Sequence, residues 1–263
     1  TLRKAILIDD QPVLIELSSL DTNIIVEVLK GDVSDKMKSA VRDYIVDWFD
    51  LERDIDPFYK LLSKSKPVSY MAKAFRGLKL VGIPDLFESL CWCIIGQQIN
   101  LAFAHKVKRR LVEAYGTSIE RDGVRHYIFP HFKVVKDLTM EELRDMQFSR
   151  QKAAYMTGIA KAFSTKIISK ELLTGTKGFD ERQKILTSIK GIGTWTANYV
   201  LMKTFREPSA IPYGDAGILN ALMRHDIIKD KKDLSSINNF FNQFPGWESY
   251  MVFYLWRSLA VQV

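Results

Sequence analysis

Apolar residues occur in short blocks near the start of the chain. Residues 5–8, 13–17 and 23–29 are rich in Ile, Val and Leu, and the polar groups Asp9-Asp10-Gln11-Pro12 and Asp21-Thr22-Asn23 separate them. Short β-branched runs divided by turn residues predict three strands of an antiparallel meander. The period then lengthens. Between residues 34 and 49, Met37, Val41, Ile45 and Trp48 or Phe49 fall on one stripe, the spacing of an amphipathic helix. Ser63-Lys64-Ser65-Lys66-Pro67 is polar and ends in proline, which marks a boundary. From Tyr70 onward the spacing is helical throughout, with helices predicted at 86–95, 101–115, 151–163, 182–189, 195–205, 216–224 and 250–259. Thr139-Met140-Glu141-Glu142 has the form of a capping box and predicts one more helix start.

The pattern predicts a mainly α protein with an N-terminal α+β part. Residues 1–66 form a small domain of antiparallel β-sheet plus helix, and residues 67–263 form the helical region. A 47% hydrophobic and 26% charged composition is ordinary globular usage and excludes a collagenous, coiled-coil or disordered chain. No run of 18 apolar residues occurs, so no membrane span is expected. Thr1-Leu2-Arg3-Lys4 opens neither a secretory signal nor a clear transit peptide, and a Thr in first position points to a trimmed start. An intracellular location follows, cytoplasmic or at the nucleoid, nuclear in a eukaryote.

Cys91 and Cys93 are poorly spaced to bridge, and His105, His126, His131 and His225 are scattered. A disulfide framework and a catalytic or structural zinc are therefore not expected. Charge changes the picture more. Residues 1–66 hold 10 Lys/Arg against 13 Asp/Glu, whereas residues 67–263 hold 28 against 18. The whole positive excess lies in the larger part, which suggests a polyanionic partner such as nucleic acid, or else a generically basic surface.

The stretch from Leu186 to Tyr199 carries the chemistry. A helix runs into Lys190, Gly191-Ile192-Gly193 makes a tight turn, and a second helix starts at Thr194. Glycines permit the positive φ or close approach that so short a turn needs. Backbone N–H groups at the start of the second helix form a sequence-blind phosphate clamp, and a packing corner is the plainer alternative. Twenty residues after Trp195, the segment Pro212-Tyr213-Gly214-Asp215 ends just before another helix. Asp215 is either an N-cap or a carboxylate aimed into a cleft.

Gly191-Ile192-Gly193-Thr194-Trp195-Thr196-Ala197-Asn198-Tyr199, with Pro212 and Asp215 at this spacing, resembles the helix–hairpin–helix DNA glycosylase superfamily. Within it the chain is similar to the alkylation-repair enzymes of the 3-methyladenine DNA glycosylase II type. Phe75 to Leu80, Phe87-Glu88, Ile95-Gly96-Gln97-Gln98, Phe129-Pro130 and the segment from Ser249 to Trp256 match the same pattern in order, so the likeness spans about residues 70–260. The superfamily's fold implies two interleaved helical subdomains within 67–263, with a cleft between them.

The resemblance implies a monofunctional glycosylase that flips alkylated purines such as 3-methyladenine and 7-methylguanine out of duplex DNA. It hydrolyses the N-glycosidic bond and so begins base excision repair. Asp215 falls at the superfamily's catalytic carboxylate, which stabilises oxocarbenium character on the sugar. Strand-cleaving members carry a Schiff-base lysine where this chain has Trp195. Trp195, Tyr199 and Trp256 are the implied base pocket, since cationic bases stack well on aromatic faces; Trp48, Trp92 and Trp247 read as core. Gln98, where the resembled enzymes carry Leu, or Ile99 beside it, is the implied wedge that enters the duplex. Lys190, Gly191, Ile192, Gly193 and Thr194 are the implied phosphate hairpin, with Lys190 either a phosphate contact or a solvated charge. The carbonyls of Thr187, Ile189 and Ile192 match a site for a monovalent Na or K ion; no catalytic cofactor is implied. The expected partner is damaged double-stranded DNA, bound by a monomer. Two readings compete with this one: a non-catalytic helix–hairpin–helix DNA-binding protein, and a glycosylase for oxidised or mismatched bases.

Overall fold

The computed structural model describes residues 1–21 and 23–260. Thr22, in the predicted turn 21–23, lies outside the described residues, as do positions 261–263 of the predicted helical region. The chain forms two compact units, each made of two segments: residues 1–46 with 87–169, and residues 47–86 with 170–263. The N-terminal sheet, expected to form a domain of its own ending at residue 66, instead shares a unit with 87–169, and 47–66 belongs to the other unit. The helix Asp35–Phe49 carries the chain from one into the other.

The first unit opens with the predicted meander: β1 Leu2–Ile8, β2 Gln11–Leu20 and β3 Asn23–Lys30, antiparallel in that order. Asp9 and Asp10 have φ of 48° and 61°. Ile8 pairs with Gln11 across them, the two-residue turn whose twist suits a hairpin. A second hairpin, β4 Ser118–Arg121 and β5 Val124–Tyr127, corrects the all-helical reading beyond Tyr70. Its signal is Asp122-Gly123, with φ of 54° and 74°, flanked by short strands. The hairpin completes the sheet's core: Ala5, Leu14 and Ile119 are buried together, with Leu29 and Ile128 packed against them. Arg3 bonds to both Glu16 and Asp122, and the Arg121 guanidinium donates to the Leu29 carbonyl. The predicted capping box at Thr139 forms, with Thr139 and Glu142 exchanging bonds. Buried Phe87 packs on Phe129, Phe132 and Phe163. Beside it Glu88 pairs with Lys108 at 2.6 Å. Burial pushes the Glu88 carboxyl up, and Lys108 and Lys4 outweigh it, holding the group below its ordinary range.

The second unit is helical and centred on aromatic rings. Phe58, fully buried on the helix Asp56–Lys64, meets Tyr254 edge-on at 4.9 Å, Tyr250 at 5.7 Å, Phe244 at 6.1 Å and Trp247, stacked, at 5.7 Å. Edge-to-face contacts of this kind add to the area they bury. Tyr250 and Tyr254, four residues apart, are the inward face of the C-terminal helix Glu248–Leu259. The Tyr250 hydroxyl donates to Asp50, and the Tyr254 hydroxyl lies 2.9 Å from the Leu78 carbonyl. Trp48, Trp92 and Trp247, expected as core, are each half-buried, a finding that fits indoles packing by one face. Among the described residues, no helix is long and apolar enough to cross a membrane.

Two basic side chains, buried Lys203 and half-buried Arg206, tie the end of the helix Thr194–Phe205 to the segment 47–86. Lys203 donates to the Val81 carbonyl and sits over the Phe253 ring. Arg206, left-handed at φ 55°, reaches the carbonyls of Asp47, Trp48 and Lys203. Burial, aided by the Arg206 charge, lowers Lys203 to about 7. A lysine whose pKa falls on folding leaves the unfolded chain binding more protons between that value and its ordinary one near 10.5, so its contribution to stability rises with pH over that interval. Tm measured from pH 7 to 9.5 is expected to rise in the wild type relative to Lys203→Met, in which that component is absent.

Candidate active site

The hairpin lies between the helices Phe179–Thr187 and Thr194–Phe205. Gly191 has φ 96°, a conformation that L side chains rarely adopt. Gly193 is different: its φ is −91°, and a Cβ there would meet nothing within 4 Å. Its missing side chain leaves open space over the first turn of the second helix. That turn has no side-chain cap, so its leading N–H groups are available to an anion. Lys190, Gly193 and Thr194 are exposed, while Ile192 is buried and anchors the turn. The Ile189 carbonyl accepts from Ile192 N at 3.0 Å.

Asn198, one turn into the second helix and buried, ties three segments together. Its Oδ1 accepts from Gln183 Nε2 at 2.6 Å, and its Nδ2 donates to the Ile211 carbonyl at 2.7 Å. The same carbonyl accepts from Tyr213 N at 2.9 Å, and Asp215 N donates to the Pro212 carbonyl at 3.1 Å. With Gly214 at φ 80°, these bonds wind the chain into the bend read from Pro212 and Gly214. Neither Gln183 nor Asn198 was singled out as functional from the sequence. The available signal was a polar residue on the inward face of an apolar helix.

The bend delivers Asp215 to the N-terminus of the helix Ala216–Arg224. Asp215 Oδ1 accepts from Ile218 N at 2.9 Å, so the residue is an N-cap. The same oxygen accepts from the Trp256 indole Nε1 at 2.8 Å. Trp256 lies two residues beyond Tyr254, on the opposite side of the C-terminal helix, and is half-buried. Tyr199 packs on Trp256 with ring centroids 5.9 Å apart, and Trp195 stacks on Tyr199 at 5.4 Å and 23°. The three aromatic residues read from the sequence thus form one continuous series ending on the carboxylate.

Gln98 and Ile99 lie in the other unit, in the break between the helices Leu86–Gly96 and Leu101–Tyr115. Gln98 is exposed and left-handed, with φ 53°. That is a strained state for a side-chain-bearing residue, worth about 1 kcal/mol or more. Ile99 is half-buried. Asn100 caps the second helix by accepting from Phe103 N at 2.8 Å, and Lys152 donates to the Ile95 carbonyl at 2.9 Å. Among the described residues, no group of three or more His, Cys, Asp or Glu side chains is placed to hold a metal ion.

Comparison with known proteins fits this geometry. The family described as HhH-GPD superfamily base excision DNA repair protein matches residues 91–244, and the N-terminal domain of 8-oxoguanine DNA glycosylase matches residues 5–90. The chain is 38% identical over 259 residues to a DNA-3-methyladenine glycosylase of Bacillus subtilis, covering 97% of this chain and 85% of that one. The 3-methyladenine DNA glycosylase from Archaeoglobus fulgidus superposes with a TM-score of 0.83 at 26% identity, over 97% of this chain and 85% of that one. The Clostridium acetobutylicum 8-oxoguanine glycosylase/lyase, solved with double-stranded DNA, shares the fold at a TM-score of 0.76 and 18% identity, over 98% and 89% of the two chains.

The Asn198 junction has a measurable cost of removal. Asn198→Ala leaves Gln183 without its partner and is expected to lower the unfolding free energy by about 2 kcal/mol. Asn198→Asp, which turns a carboxylate oxygen toward the Ile211 carbonyl, is expected to cost more. Urea unfolding of both variants checks the order.

Proposed function

The chain belongs to the HhH-GPD superfamily of base excision DNA repair proteins, and from that membership we propose that it is a monofunctional DNA glycosylase for N-alkylated purines, 3-methyladenine and 7-methylguanine among them. The observation that carries the proposal is the Asp215 carboxylate, held by the Trp256 indole at the end of the Trp195–Tyr199–Trp256 series. Two N–H donors engage Oδ1, and Oδ2 is the oxygen left for substrate.

The chemistry follows from those groups. Methylation at N3 or N7 makes the purine cationic and a good leaving group. Electron-rich indole and phenol faces stabilise such a base. As the glycosidic bond breaks, positive charge grows on the sugar, and a fixed carboxylate lowers the energy of that state without reorganising. Oδ2 also orients the attacking water. Gln98 or Ile99 fills the gap that the flipped base leaves, and the strained backbone at Gln98 supports such a role. Gly193 and Thr194, at the start of the second hairpin helix, hold a phosphate through backbone N–H groups, with Lys190 adding its charge. The carbonyls of Thr187, Ile189 and Ile192 are neutral, hard donors, which suit an alkali ion. An ion held there would add positive charge to the hairpin. We take the enzyme to act as a monomer.

Strand cleavage needs an amine that can attack the sugar, and position 195 supplies an indole. Lys203 has the lowered pKa of such an amine but is buried and committed to the Val81 carbonyl. That favours water as the nucleophile over the lyase chemistry named for the Clostridium enzyme.

Asp215→Asn separates the two roles of the carboxylate, because Asn caps a helix about as well as Asp. The expected result is an unchanged Tm and a loss of about 100-fold or more in base release. Chromatography of bases freed from N-methylated duplex DNA reads the rate, and the sugar product should be an intact abasic site until alkali is added. Gly193→Ala has room to fold, and its added methyl lies over the open turn. Its Tm should match the wild type, while DNA affinity falls and loses part of its salt dependence.

A further inference from the structure

Gly217 is the second residue of the helix that Asp215 caps. A glycine in this position needs a reason, since alanine is the better helix former. Its φ is ordinary, so backbone conformation does not supply one. The surroundings do. A Cβ at 217 would lie 2.9 Å from Trp256 Cδ1, 3.0 Å from Trp256 Nε1 and 3.0 Å from Asp215 Oδ1. All three atoms belong to the one contact that joins the aromatic series to the carboxylate. The indole cannot yield easily, because its helix is fixed by buried Tyr250 and Tyr254 and the ring itself packs on Tyr199. Asp215 is no freer, being committed to Ile218 N.

We infer that Gly217 is a positioning residue: the absence of its side chain lets the Trp256 indole N–H reach Asp215 Oδ1, and this contact fixes the carboxylate's rotation so that Oδ2 faces the reacting sugar. The inference rests on the proposed glycosylase reaction and deepens it. Trp256 then has two duties, an aromatic face toward the base and an N–H toward the carboxylate. Gly217 serves only the second, and it acts through Trp256 rather than on the substrate. The indole N–H also occupies the oxygen that it touches. A lesion therefore meets a carboxylate with one open oxygen, suited to charge stabilisation and to holding one water.

Two measurements on the full chain test this. In indole ¹H–¹⁵N spectra of the free protein, the Trp256 Nε1–H signal, assigned by its disappearance in Trp256→Phe, should lie downfield. It should move upfield in Gly217→Ala. Single-turnover release of 3-methyladenine from methylated duplex DNA supplies the second readout. Gly217→Ala should slow the step about 10- to 100-fold with half-saturating enzyme concentration little changed, and Trp256→Phe, which also alters the face offered to the base, should slow it at least as much. Because Gly217→Ala acts only through the hydrogen bond that Trp256→Phe already removes, the double variant should be no slower than Trp256→Phe alone. An unmoved indole signal in Gly217→Ala, a wild-type rate in that variant, or additive losses in the double would each overturn the inference. If the wild type releases no base, the proposed reaction fails by itself, and the indole signal still decides whether Gly217 sets the contact.

Discussion

A side-chain amide shut away from water has to bond through both its oxygen and its nitrogen or forfeit the hydration that it gave up. Asn198 meets that condition only where Gln183 on one hairpin helix and the Ile211 carbonyl on the later loop both reach it. The hairpin and the carboxylate loop therefore cannot be placed independently. Whatever fixes the angle between the two hairpin helices also fixes the start of the four-residue bend into Asp215. The glycines at 191 and 214 supply the two positive-φ turns on either side of this junction. The amide sets where they must lie in space.

The opposite wall of the site has a different support. Trp256 is held by its helix, and that helix is held by what Tyr250 and Tyr254 bury. Each tyrosine combines an apolar ring in the Phe58 cluster with a hydroxyl bond outside it, to Asp50 and to the Leu78 carbonyl. Burial pushes both phenols well above their ordinary range, aided by Asp50 at Tyr250 and by Tyr59 at Tyr254. Rings and hydroxyls together fix rotation about the helix axis as well as position. That matters for an indole that must present one edge to a carboxylate and one face to Tyr199.

The meander, the capping box at Thr139 and the helices around the hairpin were legible in the sequence because each depends on neighbours a few residues away. The β4–β5 hairpin was missed despite the Asp122-Gly123 turn, because its strands are four residues long and lie among helical spacings. The grouping of 1–46 with 87–169 was not legible. It depends on Ala5, Leu14 and Ile119 burying one another across more than a hundred residues, and no local period reports that. The site divides in the same way. Trp195, Tyr199, Asp215 and Trp256 were read from the resemblance to the glycosylase superfamily. Asn198, Gln183 and Gly217 were not, because an amide bridge and an absent methyl acquire meaning only once the partners are in place.

N-cap and reactive carboxylate look like rival readings of Asp215, yet the geometry leaves room for both. A carboxylate has two oxygens, and capping a helix uses one of them. The cap bond to Ile218 N and the bond from Trp256 both fall on Oδ1, so the structural duty and the orienting duty share a single oxygen. The cap holds Oδ1 in place and leaves the carboxylate plane only small turns about its Cβ–Cγ bond. The indole removes that freedom, and Gly217 gives the indole room to do so. A residue that is commonplace at helix starts thereby becomes a fixed charge, through a tryptophan that the chain brings in from 41 residues away.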